Sequence, residues 1–296
     1  MKKLKYYMID VFAEKRFSGN QLAVFTDGSG LSGETMQSMA REVNFSETTF
    51  ILSGDADKAI YNVRIFTPEY EVPFAGHPTL GTAYVIRNML CKGLGDVITL
   101  NLEAGRIPVT LSASPEGPDI YWMRQIEPEF QDILPIEDLL PVLGLNRDDY
   151  DDKFPIQQVS TGLPHIIVPI KSLDALRRIK LHTQNYYQLI DRTWAKNIQV
   201  FCPEAHGDLN GISTRMFTDY LGIPEDPATG SGNGCLAGYL VRHRYFGSDA
   251  IDVRSEQGYE MGRPSLLHLK ASLKEGHIEV NVGGSVVPIA EGFFYE

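Results

Sequence analysis

Two stretches, RIFTPEYEVPFAGHPTLGTAYVI (residues 64–86) and RMFTDYLGIPEDPATGSGNGCLAGYL (residues 215–240), decide how this chain folds. Each opens on Arg, an apolar residue and Phe-Thr, then passes through a glycine-containing loop into an apolar segment. Arg64 and Arg215 are offset by 151 residues; Gly76 and Gly230, and likewise Ala83 and Ala237, by 154. Glu103-Ala104-Gly105 returns as Glu256-Gln257-Gly258 at an offset of 153, and upstream SGNQLAVF (18–25) loosely matches TGLPHIIV (161–168). Several echoes in the same order at nearly constant spacing indicate an internal duplication, and hence two related lobes.

The local patterns agree. YYMIDVF (6–12) and LAVFT (22–26) read as short strands around a Gly19-Asn20 turn. In SGETMQSMAREV (32–43), Met36, Met39, Ala40 and Val43 fall on one helical face, with Ser32 as N-cap. TTFILS (48–53) and YNVRIFT (61–67) carry the β-branched and aromatic content of strands. A helix is expected from His77-Pro78 to about Met89, with Pro78 suited to its first position. A second helix is expected over 234–242. The Pro- and Ser-rich SASPEGPD (112–119) marks the end of the first lobe. The lobes are therefore expected at 1–118, joined by a strand near 286–296, and at 119–285. The acidic stretch 127–152 reads as a surface connection with one short helix.

The 296 residues are 43% hydrophobic and 22% charged, ordinary for a globular protein, and at ~100–200 residues per domain two lobes suffice. A net charge of −11 supplies no basic field for a phosphate backbone, so no nucleic acid partner is expected. A small anion stays admissible, because local donors override the global field. Cys91, Cys202 and Cys235 are odd in number and widely spaced, with no C-x-x-C and no nearby histidine pair, which argues against a disulfide framework or a zinc site. The basic start is broken by Asp10, and no apolar run approaches the roughly 18 residues of a membrane span. A reduced, cytoplasmic protein is expected, with no membrane partner.

Chemistry is expected where each glycine loop feeds a helix, since first-turn N–H groups and the helix dipole attract anions. Neither loop is a nucleotide motif: the Walker lysine is missing, and Gly232-x-Gly234-x-x-Ala237 follows EDPATG rather than running straight off a strand. Glycines that permit tight turns and close helix packing are the simpler reading. Glu47, between Phe45 and Phe50 at a helix–strand junction, is either a desolvated general base and acid or an exposed loop carboxylate. Asp226 is either a turn or cap residue or a site carboxylate, and His77 either a pocket acid or donor or a helix N-cap. Cys235 reads as core.

FSGNQLAVF (17–25), NFSETTF (44–50), RIFTPEYEVPFAGHPTLGTA (64–83), RMFT (215–218) and EDPATGSGNG (225–234) together resemble the PhzF family of phenazine-biosynthesis-like isomerases, which shares the diaminopimelate epimerase fold. The resemblance spans nearly the whole chain. It implies an α+β fold of two duplicated lobes, each a β-sheet wrapped around a central helix, with the active site in the cleft between them. It places the acid/base glutamate on Glu47, with His77 and Asp226 as further catalytic groups. Asn20, Ser46, Gly76, Gly230 and Ser231 fall on substrate-binding positions. The loops read AGHP and TGSG, so the two-cysteine racemase arrangement of the related epimerases is missing. A homodimer, a small carboxylate substrate, and no cofactor or metal are implied. The function expected is a proton shift on a small cyclic or unsaturated amino or hydroxy acid. The alternatives are an epimerase with a non-cysteine base and a non-catalytic binding protein. Tyr70, Glu71 and Met216 are candidates for tuning specificity.

Overall fold

The computed structural model describes residues 2–114 and 117–296; part of the expected lobe end at 112–119 lies outside the described residues. The chain divides into two compact units, Met1–Met123 with Gly283–Glu296, and Arg124–Val282. The first contains β1 (Lys3–Val11), β2 (Asn20–Phe25), α1 (Gly33–Val43), β3 (Glu47–Asp55), β4 (Ile60–Phe66), β5 (Glu71–Val72), α2 (Gly76–Val85), β6 (Val97–Leu102), β7 (Gly105–Ser112) and β8 (Ile120–Arg124). The second contains β9 (Glu129–Leu134), α3 (Ile136–Leu143), β10 (Ile156–Ser160), β11 (Pro164–Pro169), α4 (Leu173–Arg178), α5 (Thr183–Ile190), β12 (Asn197–Cys202), β13 (Ile212–Thr218), β14 (Ile223–Asp226), α6 (Gly230–Arg242), β15 (Ala250–Gln257), β16 (Ser265–Lys274) and β17 (His277–Gly284). The last strand, β18 (Val286–Tyr295), returns to pair antiparallel with β1.

Strand pairing repeats between the units step for step. In the first, β1–β2 is antiparallel, β2–β3 parallel, β3–β4 antiparallel, β4–β6 parallel and β6–β7 antiparallel, with β5 added to β4. In the second, β10–β11, β11–β12, β12–β13, β13–β15 and β15–β16 follow the same sequence of directions, with β14 added to β13. Even the flanking strands correspond: β18 lies against β1 and β9 against β10. The α+β duplication read from the sequence is the observed architecture.

One helix is central to each unit. α2 packs against β1, β2, β3, β6, β7 and β18, and α6 against β10, β11, β12, β15 and β16. Both are small-residue helices buried nearly all round. At Gly81 the place a Cβ would take is only 2.6–2.9 Å from Leu22, Val11 and Ile9, so no larger residue lets α2 sit this close to the sheet. The hydroxyls buried with it answer one another, Thr49 Oγ1 and Thr82 Oγ1 lying 2.9 Å apart. α2 is prolonged by a π-helical turn, Ile86–Leu90, which accounts for the longer helix expected from sequence.

The peripheral helices cover the other sheet faces. α1 lays Met36, Met39 and Ala40 on a cluster containing Phe25, Phe50 and Phe66, where Phe25 and Phe50 stack at 4.9 Å. α3, α4 and α5 bury Leu139, Leu176 and Leu189 against Ile166, Ile198 and Val200. The stretch 127–152 is therefore not a surface connection: it holds β9, which pairs with β10, and α3, whose Ile136, Leu139, Val142 and Leu143 are core. Its acidic residues lie on the outer side of elements whose apolar residues are spaced by helix and strand periods. Among the described residues, no helix is long and apolar enough to cross a membrane.

Candidate active site

α1 ends at Asn44, whose left-handed backbone (φ 56°) turns the chain so that Glu47 begins β3. Parallel pairing then sets Glu47 opposite Leu22 on β2. Asn20, the first residue of β2, is buried, and its neighbour Gln21 presents a carbonyl to His77. His77 is the second residue of α2; the helix is capped by Ala75 in extended conformation, so the N-cap reading of His77 is not the observed one. His77 Nε2 lies 3.3 Å from Gln21 O and 3.6 Å from Glu47 Oε2. A carbonyl only accepts, so Nε2 carries the hydrogen. Burial pushes His77 down to about 3, which leaves the ring neutral. Glu47 remains partly open, its side chain 19% exposed beside a 6% exposed imidazole. Ser46 adjoins Glu47 and Gly76 adjoins His77, so five of the expected site residues meet in the first unit.

The other three lie together in the second unit. Asp226 ends β14, opposite Met216. Thr229 Oγ1 donates to Asp226 Oδ2, and Gln257 Nε2 donates to Asp226 O at 2.7 Å. Asp226 is thus part of the turn that leads into α6, whose first two residues are Gly230 and Ser231. That turn is braced from below: Asn233 Nδ2 donates to Gln257 Oε1 at 2.8 Å, and Ser255 Oγ to Asn233 Oδ1 at 2.7 Å.

α2 and α6 begin without a side-chain cap, as α3 and α5 do. α1 and α4 are capped by Ser32 and Ser172 accepting from Thr35 N and Ala175 N, whereas neither Ala75 nor Thr229 caps with its side chain. The first amides of the two central helices are left to other partners. The glycines of the G-x-G-x-x-A pattern serve packing, as a Cβ on Gly232 would lie 2.5 Å from Gln199 Oε1 and one on Gly234 3.1 Å from Gln125. Cys235 is fully buried, its thiol pushed up to about 12 by that burial, and so is no nucleophile.

The sequence reading missed His165, Asn197 and Gln199, buried polar residues beside the start of α6. The signal present was a histidine inside the otherwise apolar strand PHIIVP. Of the specificity candidates, Glu71 is held by Arg64 through two 2.6 Å hydrogen bonds and Met216 is buried, while Tyr70 is half exposed.

Glu47 and His77 thus stand together at the uncapped start of one of the two central helices of a duplicated fold. The model of the phenazine biosynthesis-like protein family, PhzC-PhzF, matches residues 9–292, and the chain belongs to that family. It is 36% identical to trans-2,3-dihydro-3-hydroxyanthranilate isomerase of Pseudomonas aeruginosa, over 98% of this chain and 99% of that one. It is 33% identical to an uncharacterized isomerase of Mesorhizobium japonicum, over 99% of both chains. Among solved structures, a PhzF-family phenazine biosynthesis protein of Bacillus anthracis superposes over the full length of both chains with a TM-score of 0.92 at 29% identity. A predicted epimerase of Pseudomonas aeruginosa gives 0.80 at 32% identity, covering 99% of both. A probable proline racemase of Agrobacterium radiobacter, 11% identical over 99% of this chain and 93% of that one, shares the fold with a TM-score of 0.64. The chain is an isomerase or epimerase.

Proposed function

We propose that the protein is a cofactor-independent isomerase that shifts a proton on a small cyclic or unsaturated amino or hydroxy carboxylic acid. The observation that carries this reading is Glu47, a partly open carboxylate beside a buried imidazole held neutral at the uncapped start of α2. The Glu47 carboxylate takes a proton from an sp3 carbon next to the unsaturated system. The electron pair of that C–H bond moves along the conjugated carbons, and the proton returns at the far end, so that substrate and product are isomers. His77, which holds its hydrogen on Nε2, donates a hydrogen bond and takes no proton. Asp226 is the second acid/base group. Asn20, Ser46, Gly76, Gly230 and Ser231 bind the substrate, with first-turn helix amides receiving its carboxylate. A positioned acid/base contributes ~10²–10⁴-fold, so the amides carry much of the remaining acceleration.

The relative named trans-2,3-dihydro-3-hydroxyanthranilate isomerase supports that compound as the first substrate to offer. Incubated with it in D2O, the protein is expected to place one deuteron on a carbon other than the one that lost hydrogen, read by NMR. Recovery of unchanged, unlabelled substrate contradicts the reading. The predicted epimerase among the structural relatives favours a second reading, for which deuterium returns to the same carbon with inversion.

A further inference from the structure

His165 and Asn197 face one another as register partners on β11 and β12, and Gln199 follows two residues on, on the same side as Asn197. All three are almost completely buried. Among the described residues, His165 Nε2, Asn197 Oδ1 and both ends of the Gln199 amide have no hydrogen-bond partner. The same holds for Nε2 of the nearby Gln125. Buried polar atoms are nearly always paired, and several unpaired ones together lower stability unless a ligand answers them.

Their roles are set by what each residue already does. His165 Nδ1 sits 2.7 Å from Leu163 O, so Nδ1 carries the hydrogen and Nε2 offers a lone pair. Asn197 Nδ2 donates to Pro164 O at 3.0 Å, which leaves Oδ1 as an acceptor. Two fixed acceptors cannot satisfy each other; they call for a donor. His165 is neutral, pushed down to about 4 by burial, and none of these side chains is a carboxylate, so a charged ammonium finds no counter-ion. The cluster reaches the first turn of α6 because Gly232 has no side chain: a Cβ there would meet Gln199 Oε1 at 2.5 Å and His165 Cδ2 at 3.3 Å. The fold does not require such a group. At the matching register positions of the first unit stand Leu22, the carboxylate Glu47 and Thr49, the last paired with Thr82, so the three neutral polar side chains are particular to this unit.

We propose that His165, Asn197 and Gln199 form a subsite beneath the first turn of α6 that accepts an uncharged N–H or O–H group of the substrate adjoining its carboxylate. This deepens the proposed function and rests on it. The subsite selects 2-amino or 2-hydroxy carboxylates over plain ones.

The test measures calorimetric affinities of the full chain for benzoate, anthranilate and 2-methoxybenzoate, of which only anthranilate carries a neutral donor beside the carboxylate. Anthranilate is expected to bind at least tenfold more tightly than the methoxy compound. Gln199→Met and, independently, His165→Phe shrink that ratio to under threefold while leaving benzoate affinity unchanged. The melting temperature of Gln199→Met is expected to equal or exceed that of the wild type, because an unpaired amide has been removed. A ratio near one in the wild type, or a ratio that survives both substitutions, overturns the subsite and leaves carboxylate binding intact. A lowered melting temperature with an unchanged ratio assigns the cluster a structural role only and also overturns it. Failure of all three compounds to bind overturns the carboxylate reading and the subsite with it.

Discussion

The two units repeat one scaffold and differ in chemistry at matching places. In the first, the opening residue of β3 is Glu47, and the second residue of α2 is His77. In the second, the opening residue of β12 is Asn197, and the second residue of α6 is Ser231. At these two places one copy carries the ionisable pair and the other neutral polar groups. The supports have been kept. Arg64 grips Glu71 and lies 5.0 Å from the Phe66 ring; Arg215 grips Glu225 and lies 5.0 Å from Phe217.

The largest expected effect separates the two Arg–Glu supports by burial. Arg215 also donates to Leu176 O and Ile179 O, and its side chain is 9% exposed against 32% for Arg64. Arg215→Ala leaves Glu225 buried without its partner and is expected to destabilise by about 3–5 kcal/mol. Arg64→Ala, screened by solvent, is expected to give about 1–2 kcal/mol. Urea denaturation of both variants measures the difference, and equal effects would mean that burial does not distinguish the supports.

A smaller effect treats the copies alike. Each holds one buried neutral histidine, His77 and His165. Burial lowers both, to about 3 and about 4, below the ordinary 6.5 that the unfolded chain retains. The unfolded state therefore gains protons first, so this stabilisation is complete above pH 6.5 and is lost as pH falls below it. Between there and pH 5 each histidine is expected to account for about 2 kcal/mol of lost stability. His77→Gln and His165→Gln should each flatten the acid limb of a stability–pH curve by that amount.

The smallest effect contrasts capped and open helices. Ser32→Ala removes the hydrogen bond from Thr35 N at 3.1 Å and is expected to cost about 1 kcal/mol in thermal unfolding, with proton-shift activity unchanged.

Much of this was legible in the sequence for physical reasons. The repeat survives because Arg64 and Arg215 bind partners in the same way, and because Gly76 and Gly230 each open a helix. α1 was readable because its cap and its buried face are both local patterns. β9 and α3 were obscured by acidic residues whose outward orientation only tertiary pairing reveals. The roles of Glu47 and His77 could not be weighed from spacing, because their proximity depends on the parallel register of β2 with β3 and on the close packing of α2. His165, Asn197 and Gln199 were invisible for the same reason: β11–β12 pairing brings together residues more than thirty positions apart.

The most direct test of the division of labour between the copies is deuterium incorporation into trans-2,3-dihydro-3-hydroxyanthranilate by the wild type and by Glu47→Gln, compared at equal folded concentration. A fall of ~10²–10⁴-fold in the variant is predicted, with the melting curve preserved. Exchange by Glu47→Gln within about threefold of the wild type would contradict the assignment of proton transfer to Glu47, since that is below the range a positioned acid/base supplies.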